Sequence, residues 1–216
     1  MLEIEVAGQR LVLLADKAAF LPGERCLLVA DAHLGKAVSF RRLGVPVPRG
    51  TTTAGLTRLS GLLEHTGATR LVFLGDFLHS ERAHAPATLQ ALAHWRERHR
   101  AVELALVRGN HDARAGDPPG VLGIECVDGP LCLGTLALCH EPQEMPGAYV
   151  LAGHLHPCIH VAGRGWERLR LPCFWVGRRC GVLPAFGEFT GMAPVQPAPG
   201  DRLYAIADDR VIALPQ

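Results

Sequence analysis

Apolar and polar positions alternate over two short amino-terminal runs in LEIEVAGQRLVLLAD, either side of Gly8, a pattern that predicts a β-hairpin. The next apolar run, CLLVADAH, is continuous and ends in polar residues, so a buried strand delivers Asp31 and His33. From Thr51 to His65 and from Pro86 to about His99, apolar residues recur every three or four positions, with Thr or Pro near each start. These predict two amphipathic helices. RLVFLGD, VELALVRGN, LCLGTLALCH and YVLAGH are four further apolar runs, each stopping at a polar cluster. RLYAIADDRVIAL predicts a closing hairpin with Asp208 and Asp209 at its turn. The Pro/Gly-rich segments at 44–50, 114–120 and 192–201 read as surface loops, none long enough for a domain linker, and there is no internal repeat. Strands and helices mixed in this way predict one α/β domain over 1–216, sheet covered by helices, with the site at the strands' carboxyl ends.

Composition narrows this only a little. At 48% hydrophobic and 20% charged, the chain buries a sizeable core and falls outside the disordered range. No apolar run approaches the roughly 20 residues that span a bilayer, and MLEIEVAGQR carries charge where a signal peptide is apolar, which predicts a soluble cytoplasmic protein. The seven cysteines are odd in number and form no C-x-x-C pair, so reduced, mostly buried thiols are expected. Net charge is +1, and of the 22 basic residues only Lys17 and Lys36 are lysines. An arginine bias suits phosphate contacts, yet the arginines are spread along the whole chain as GC-rich codon usage would spread them.

The polar clusters at the strand ends carry the chemistry: Asp31-x-His33, Gly75-Asp76-x-x-His79, Gly109-Asn110-His111-Asp112, His140, and Gly153-His154-x-His156. D-x-H alone arises by chance about 0.4 times in such a chain, but G-H-x-H only about 0.06 times, so the weight lies in the set. Alternation along an extended strand would put Asp31 with His33, and His154 with His156, on one face as metal pincers. Carboxylate, imidazole and amide oxygen without thiolate suit Mn, Fe or Zn better than a structural zinc. Seven ligands exceed one ion, and two ions need a bridging carboxylate, a place that Asp76 fits.

In this order the motifs resemble the calcineurin-like metallophosphoesterase superfamily. DAHLGK, LGDFLHS, RGNHD, GHLHP, PCFW and LPAFGEFTG look like its bacterial ligase-associated DNA-damage-response endonucleases, a likeness that covers nearly the whole chain. The resemblance implies a four-layer α/β/β/α sandwich and two divalent metals, manganese foremost with iron, zinc or magnesium as alternatives. It also implies hydrolysis of DNA phosphodiesters by a hydroxide bridging the metals, and association with an ATP-dependent DNA ligase. Carried over, one metal takes Asp31, His33, Asp76 and His156, the other Asp76, Asn110, His140 and His154. His111 would act at the leaving oxygen with Asp112 orienting its ring, and His79 matches the repair-nuclease branch.

Lys36 and Arg108 adjoin these motifs and read equally as phosphate contacts or as solvated side chains. Phe174, Trp175, Phe186 and Phe189 suit core packing better than base stacking, and His65, His84, His94, His99 and His160 fit no ligand spacing and read as surface residues. A DNA endonuclease competes with a phosphatase or phosphodiesterase on small nucleotides and with a scaffold that reuses the fold. The full ligand set argues against a scaffold, and the chain has little room for the lid that a small-molecule enzyme would bring.

Overall fold

The structure, a computed structural model, describes residues 1–42, 44–48, 50–162 and 168–215, so Arg49 of the 44–50 loop lies outside the described residues. The amino-terminal alternation forms β1 (Leu2–Val6) and β2 (Gln9–Leu14), paired antiparallel around a turn in which Ala7 and Gly8 both have positive φ. β3 (Ala18–Leu21), too short for the periodicity to reveal, links β2 antiparallel to β4 (Cys26–Ala30).

β4, β5 (Arg70–Leu74), β6 (Glu103–Val107) and β7 (Ile124–Val127) then run parallel and complete a seven-stranded sheet in sequence order. Parallel neighbours require crossovers. These contain α1 (Lys36–Arg42) and α2 (Thr51–Thr66), then α3 (Pro86–Arg98), then the short α4 (Asp112–Ala115). α2 buries Leu56, Leu59, Leu62 and Leu63 and ends at left-handed Gly67, whose N–H caps the Leu63 carbonyl. α3 starts on Pro86 and buries Leu92 and Trp95, and the Trp95 indole donates to Ser60 of α2 at 3.1 Å. These side chains pack on Leu27, Val29, Leu71, Phe73, Leu104 and Leu106 of the sheet.

LCLGTLALCH, expected as one strand, is two: β8 (Leu131–Leu133) and β9 (Leu136–Leu138) fold back on each other at Gly134, whose φ of 57° lets the chain reverse. With β10 (Tyr149–Ala152), β11 (Pro157–Ala162), β12 (Arg168–Val176), β13 (Cys180–Val182) and β14 (Ala193–Pro194) they form a second sheet in the order β14-β11-β12-β13-β10-β9-β8. β14 lies in the 192–201 segment read from sequence as loop, its two residues paired with β11. β15 (Arg202–Ala207) and β16 (Arg210–Ala213) make the expected closing hairpin, β15 against β12.

The two sheets pack face to face through Leu28, Ala30, Val72, Leu74, Leu138, Leu151, Phe174 and Ile206. On the second sheet Ala137, Cys139, Val150 and Ala152 form a smaller cluster, against which Met145, Ala148 and the neighbouring-strand Cys180 pack. Four cysteines are buried, Cys26, Cys139, Cys158 and Cys173, and Cys132 is exposed. No helix among the described residues is long and apolar enough to cross a membrane.

Phe174 is only 1% exposed between the sheets. Phe174→Ala should therefore cost about 3–5 kcal/mol. Followed by circular dichroism, it should lower Tm by roughly 2–4 °C per kcal/mol; a Tm unchanged within error would remove Phe174 from the core.

Candidate active site

Ala30, Leu74 and Val107 are in register across β4, β5 and β6, so the chain leaves three parallel strands at one level. Asp31, Gly75-Asp76 and Gly109-Asn110 thus emerge side by side. β9 and β10 are also parallel, and they deliver His140 and the His154–His156 segment from the second sheet. All seven predicted ligands come together at this one end of the sandwich, and close backbone approach makes room for them. A Cβ on Gly75 would lie 2.0 Å from His140 Nδ1, and one on Gly109 would lie 2.4 Å from Asp76 Oδ1.

The pairing of Asp31 with His33, and of His154 with His156, does not arise by strand alternation. Asp31, His33, Asp76, His154 and His156 all have left-handed backbone, with φ from 43° to 70°. The strands have ended, and each side chain is turned inward by a tight bend.

The geometry falls into two connected groups. His156 Nε2 lies 3.5 Å from Asp31 Oδ1, and His33 Nε2 lies 3.7 Å from Asp76 Oδ2. His140 Nε2 lies 3.0 Å from Asn110 Oδ1, 3.0 Å from His154 Nδ1 and 3.6 Å from Asp76 Oδ1. Asp76 accordingly turns one oxygen to each group.

Backbone carbonyls orient the rings. His140 Nδ1–H donates to Leu74 O at 3.1 Å and His156 Nδ1–H donates to Gly191 O at 2.9 Å, which leaves each Nε2 lone pair directed inward. Burial, then the charge of Lys36, pushes the His33 pKa down to about 2, so that ring is neutral and free to ligate. Burial opposes charge on His156 too, but Asp31 outweighs it and raises that pKa.

Asp31 and Asp76 are 0% and 2% exposed, and Asp31 Oδ1 has no hydrogen-bond donor. Buried carboxylates need a paired cation or a metal, and around these two the protein supplies chiefly further acceptors. Carboxylate, imidazole and amide oxygen are the donor set of a borderline or hard divalent ion, and the residues fit one. Two triads, Asp31–His33–His156 and Asp31–Asp76–His140, each hold their ligand atoms within 4.8 Å of one another.

His111 flanks these groups, with Nε2 3.9 Å from Asp76 Oδ2. Its ring is not held by Asp112, as the sequence reading expected. His111 Nδ1–H donates instead to the His79 carbonyl at 2.8 Å. The buried Asp112 carboxylate accepts the backbone N–H groups of Phe77, Leu78 and Gly109 at 3.0, 3.4 and 2.9 Å, and so ties the two ligand loops together. The His79 ring stacks on His111, centroids 5.2 Å apart, and burial with Lys36 nearby lowers its pKa to about 4.

Lys36 is half-buried at the head of α1, where burial lowers its pKa against the pull of Asp76 and Asp31. The Arg108 guanidinium is held by Asp117 at 2.7 and 2.8 Å and by Asp128 at 2.8 Å. Phe174 and Phe186 are core residues, whereas Phe189 is 46% exposed. His99 bonds to Ser60 and His84 to the Ala115 carbonyl, both away from the centre. The carbonyls that orient His111, His140 and His156 had no sequence signal, since a backbone acceptor carries no residue identity.

Fold and site together define an α/β sandwich with a divalent-metal centre at the carboxyl ends of its parallel strands. The chain belongs to the family of the Pseudomonas putida nuclease MPE. It is 49% identical to the crystal structure of that protein, with 99% of each chain covered and a TM-score of 0.88. The phosphoesterase Yfce from E. coli also matches, at 18% identity over 87% of this chain and 96% of that one, with a TM-score of 0.42. No protein-family model and no curated protein matches the chain.

Gly75→Ala should leave the strands folded but displace the His140 ring, since the added carbon overlaps it. A 10- to 100-fold loss of divalent-ion affinity is expected, on the scale of disturbed ligand support. Isothermal titration with the metal checks it, and wild-type affinity would show that His140 has no part in binding.

Proposed function

We propose that this chain is a phosphodiesterase of the calcineurin-like metallophosphoesterase superfamily that depends on two divalent metals and cuts DNA as an endonuclease. The observation that carries the reading is the pair of buried carboxylates, Asp31 and Asp76, ringed by imidazole and amide groups at the strand ends. Kinship with a nuclease at 49% identity supports the substrate class. Asp31, His33, Asp76 and His156 would hold one ion, and Asp76, Asn110, His140 and His154 the other, with manganese the proposed metal. Bound there, such a pair supplies positive charge against the phosphate and lowers the pKa of the attacking water.

The protein's own groups complete the reaction. The His111 Nδ1–H is committed to the His79 carbonyl, so Nε2 is the atom left to carry a proton to the leaving oxygen. His79, kept neutral at physiological pH by its lowered pKa, stacks against that ring and limits its swing. Asp112 fixes the loop on which His111 sits. Lys36 is the phosphate contact, a place that Arg108 leaves open by pairing with Asp117 and Asp128. We place the activity in DNA repair in the cytoplasm, in association with an ATP-dependent DNA ligase.

Elemental analysis of the loaded protein should find two divalent ions per chain, and Asp76→Ala should lose both because each group uses that carboxylate. One ion in the wild type, or two in the variant, would overturn the dinuclear assignment.

In a cleavage assay, manganese-dependent nicking of plasmid DNA should weaken steeply from about 50 to 200 mM salt, while a small chromogenic diester responds far less. His111→Ala should keep its metal and lose roughly 10²–10⁴ in turnover on both substrates. DNA left intact under every metal, with a nucleotide monoester or cyclic nucleotide turned over well, would replace the endonuclease with the small-nucleotide enzyme.

A further inference from the structure

Among the described residues, Phe189 is the exposed aromatic that neither the core nor the metal centre uses. It is 46% exposed, whereas Phe174 and Phe186 are 1% exposed. Its φ is 57°, a left-handed conformation that is an outlier for a bulky side chain. An apolar ring shown to solvent on a strained backbone needs something that holds it and something that it meets.

What holds it is on both sides of the tip. On one side, Gly187 N–H donates to the Asp31 carbonyl at 3.0 Å, and a Cβ at Gly187 would lie 2.6 Å from the Ala32 carbonyl, so the loop is pressed against the Asp31–His33 bend. On the other side, the Gly191 carbonyl accepts from His156 Nδ1 at 2.9 Å. Between these anchors, Glu188 pairs with Arg58 at 2.6 Å, and that guanidinium lies over the Phe186 ring, 3.9 Å from its centroid. Phe189 is therefore mounted on a short span whose ends are each hydrogen-bonded to a residue of the metal centre.

What it meets is indicated by two cavities that share Phe189 as a wall. One, narrow, is lined by His33, Lys36, Thr51 and Thr52. The other, about 190 Å³, is lined by His156, Lys17 and Thr190. Each cavity thus combines a histidine of the metal centre with one of the chain's two lysines, and the aromatic ring forms the ridge between them. Glu188 lines both cavities too, beside Lys17, and an ammonium on either side of a flat apolar face is complementary to a chain of bases on a phosphate backbone.

We propose that Phe189 is the platform on which the nucleobase beside the scissile phosphate stacks, with Lys17 and Lys36 taking the flanking backbone phosphates. This rests on the nuclease reading above and adds to it the residue that distinguishes a base-bearing strand from a bare phosphodiester.

The test is steady-state cleavage of a labelled oligodeoxynucleotide by the manganese-loaded enzyme, alongside the same strand carrying one abasic nucleotide moved stepwise past the cleavage position. Phe189→Ala should raise KM roughly 5- to 100-fold, the range of one lost base–aromatic stack. It should leave kcat, metal content and Tm near wild type, and Phe189→Trp should restore KM. At one abasic position the wild type should lose the same factor, and Phe189→Ala should lose nothing more. With 2-aminopurine at that position, fluorescence should be quenched on binding to the wild type and not to Phe189→Ala. An unchanged KM in Phe189→Ala, or losses that simply multiply at every abasic position, would overturn the platform while leaving the nuclease reading intact. A wild type that cuts no oligonucleotide would overturn both.

Discussion

The constraint on which the rest of this structure depends is the burial of Asp31 and Asp76. Taking an ionised carboxylate out of water costs several kcal/mol even after relaxation, and a neighbouring like charge adds to that cost. Each does accept one backbone N–H, Asp31 from His154 and Asp76 from His111, both at 2.9 Å. Those bonds satisfy one oxygen apiece and neutralise nothing. The His140 and His156 rings are turned by carbonyls so that Nε2 faces inward, which makes the pocket worse for a protein without metal and better for a cation. The sandwich has built a hole shaped for positive charge.

The backbone carries a second cost at the same place. Five residues of the centre are left-handed, at about 1–2 kcal/mol each relative to ordinary helix or strand geometry. Set against a total stability of roughly 5–15 kcal/mol, that is a large fraction. The centre tolerates it because it lies on the most deeply buried part of the fold, the consecutive parallel strands β4, β5 and β6, covered by α2 and α3 on one side and by the second sheet on the other. A strained loop on a rigid strand end keeps a donor within tenths of an ångström of its place, which a relaxed loop would not.

How much of this was legible in the sequence follows from which interactions leave a mark on residue identity. The strands before Asp31, Asp76 and Gly109 were visible because buried parallel strands are continuous apolar runs, and the polar clusters that stop them were visible as chemistry. The joining of seven ligand residues from both sheets was expected from their motifs. Left-handed turns at Asp31 and His154 were not, because strand alternation predicts the same pairs for a different reason. Gly134 was hidden inside an apolar run that kept its hydrophobicity through the turn, so two strands looked like one. β3, β13 and β14 were too short for any period to emerge. The support of His111 by a carbonyl instead of Asp112 could not be read from adjacency, since neighbours in sequence point different ways once the helix α4 begins.

Arg108 shows why motif position and electrostatic role separate. It stands one residue before the Gly109-Asn110-His111 turn, yet it faces two carboxylates from the loops beside it and spends its charge there. With net charge +1 and arginines dispersed, the chain has little long-range field to draw a polyanion. Attraction has to be local. Two divalent ions held as proposed against two carboxylates would leave a local charge near +2, and Lys36 lines a cavity together with His33 of the centre. A field confined to one end of the sandwich weakens within a Debye length of about 8–10 Å. On the proposed function, such a centre would hold a phosphate well once it arrived but steer distant nucleic acid poorly, so selection among substrates would fall to contacts made at the rim and not to the charge of the molecule as a whole.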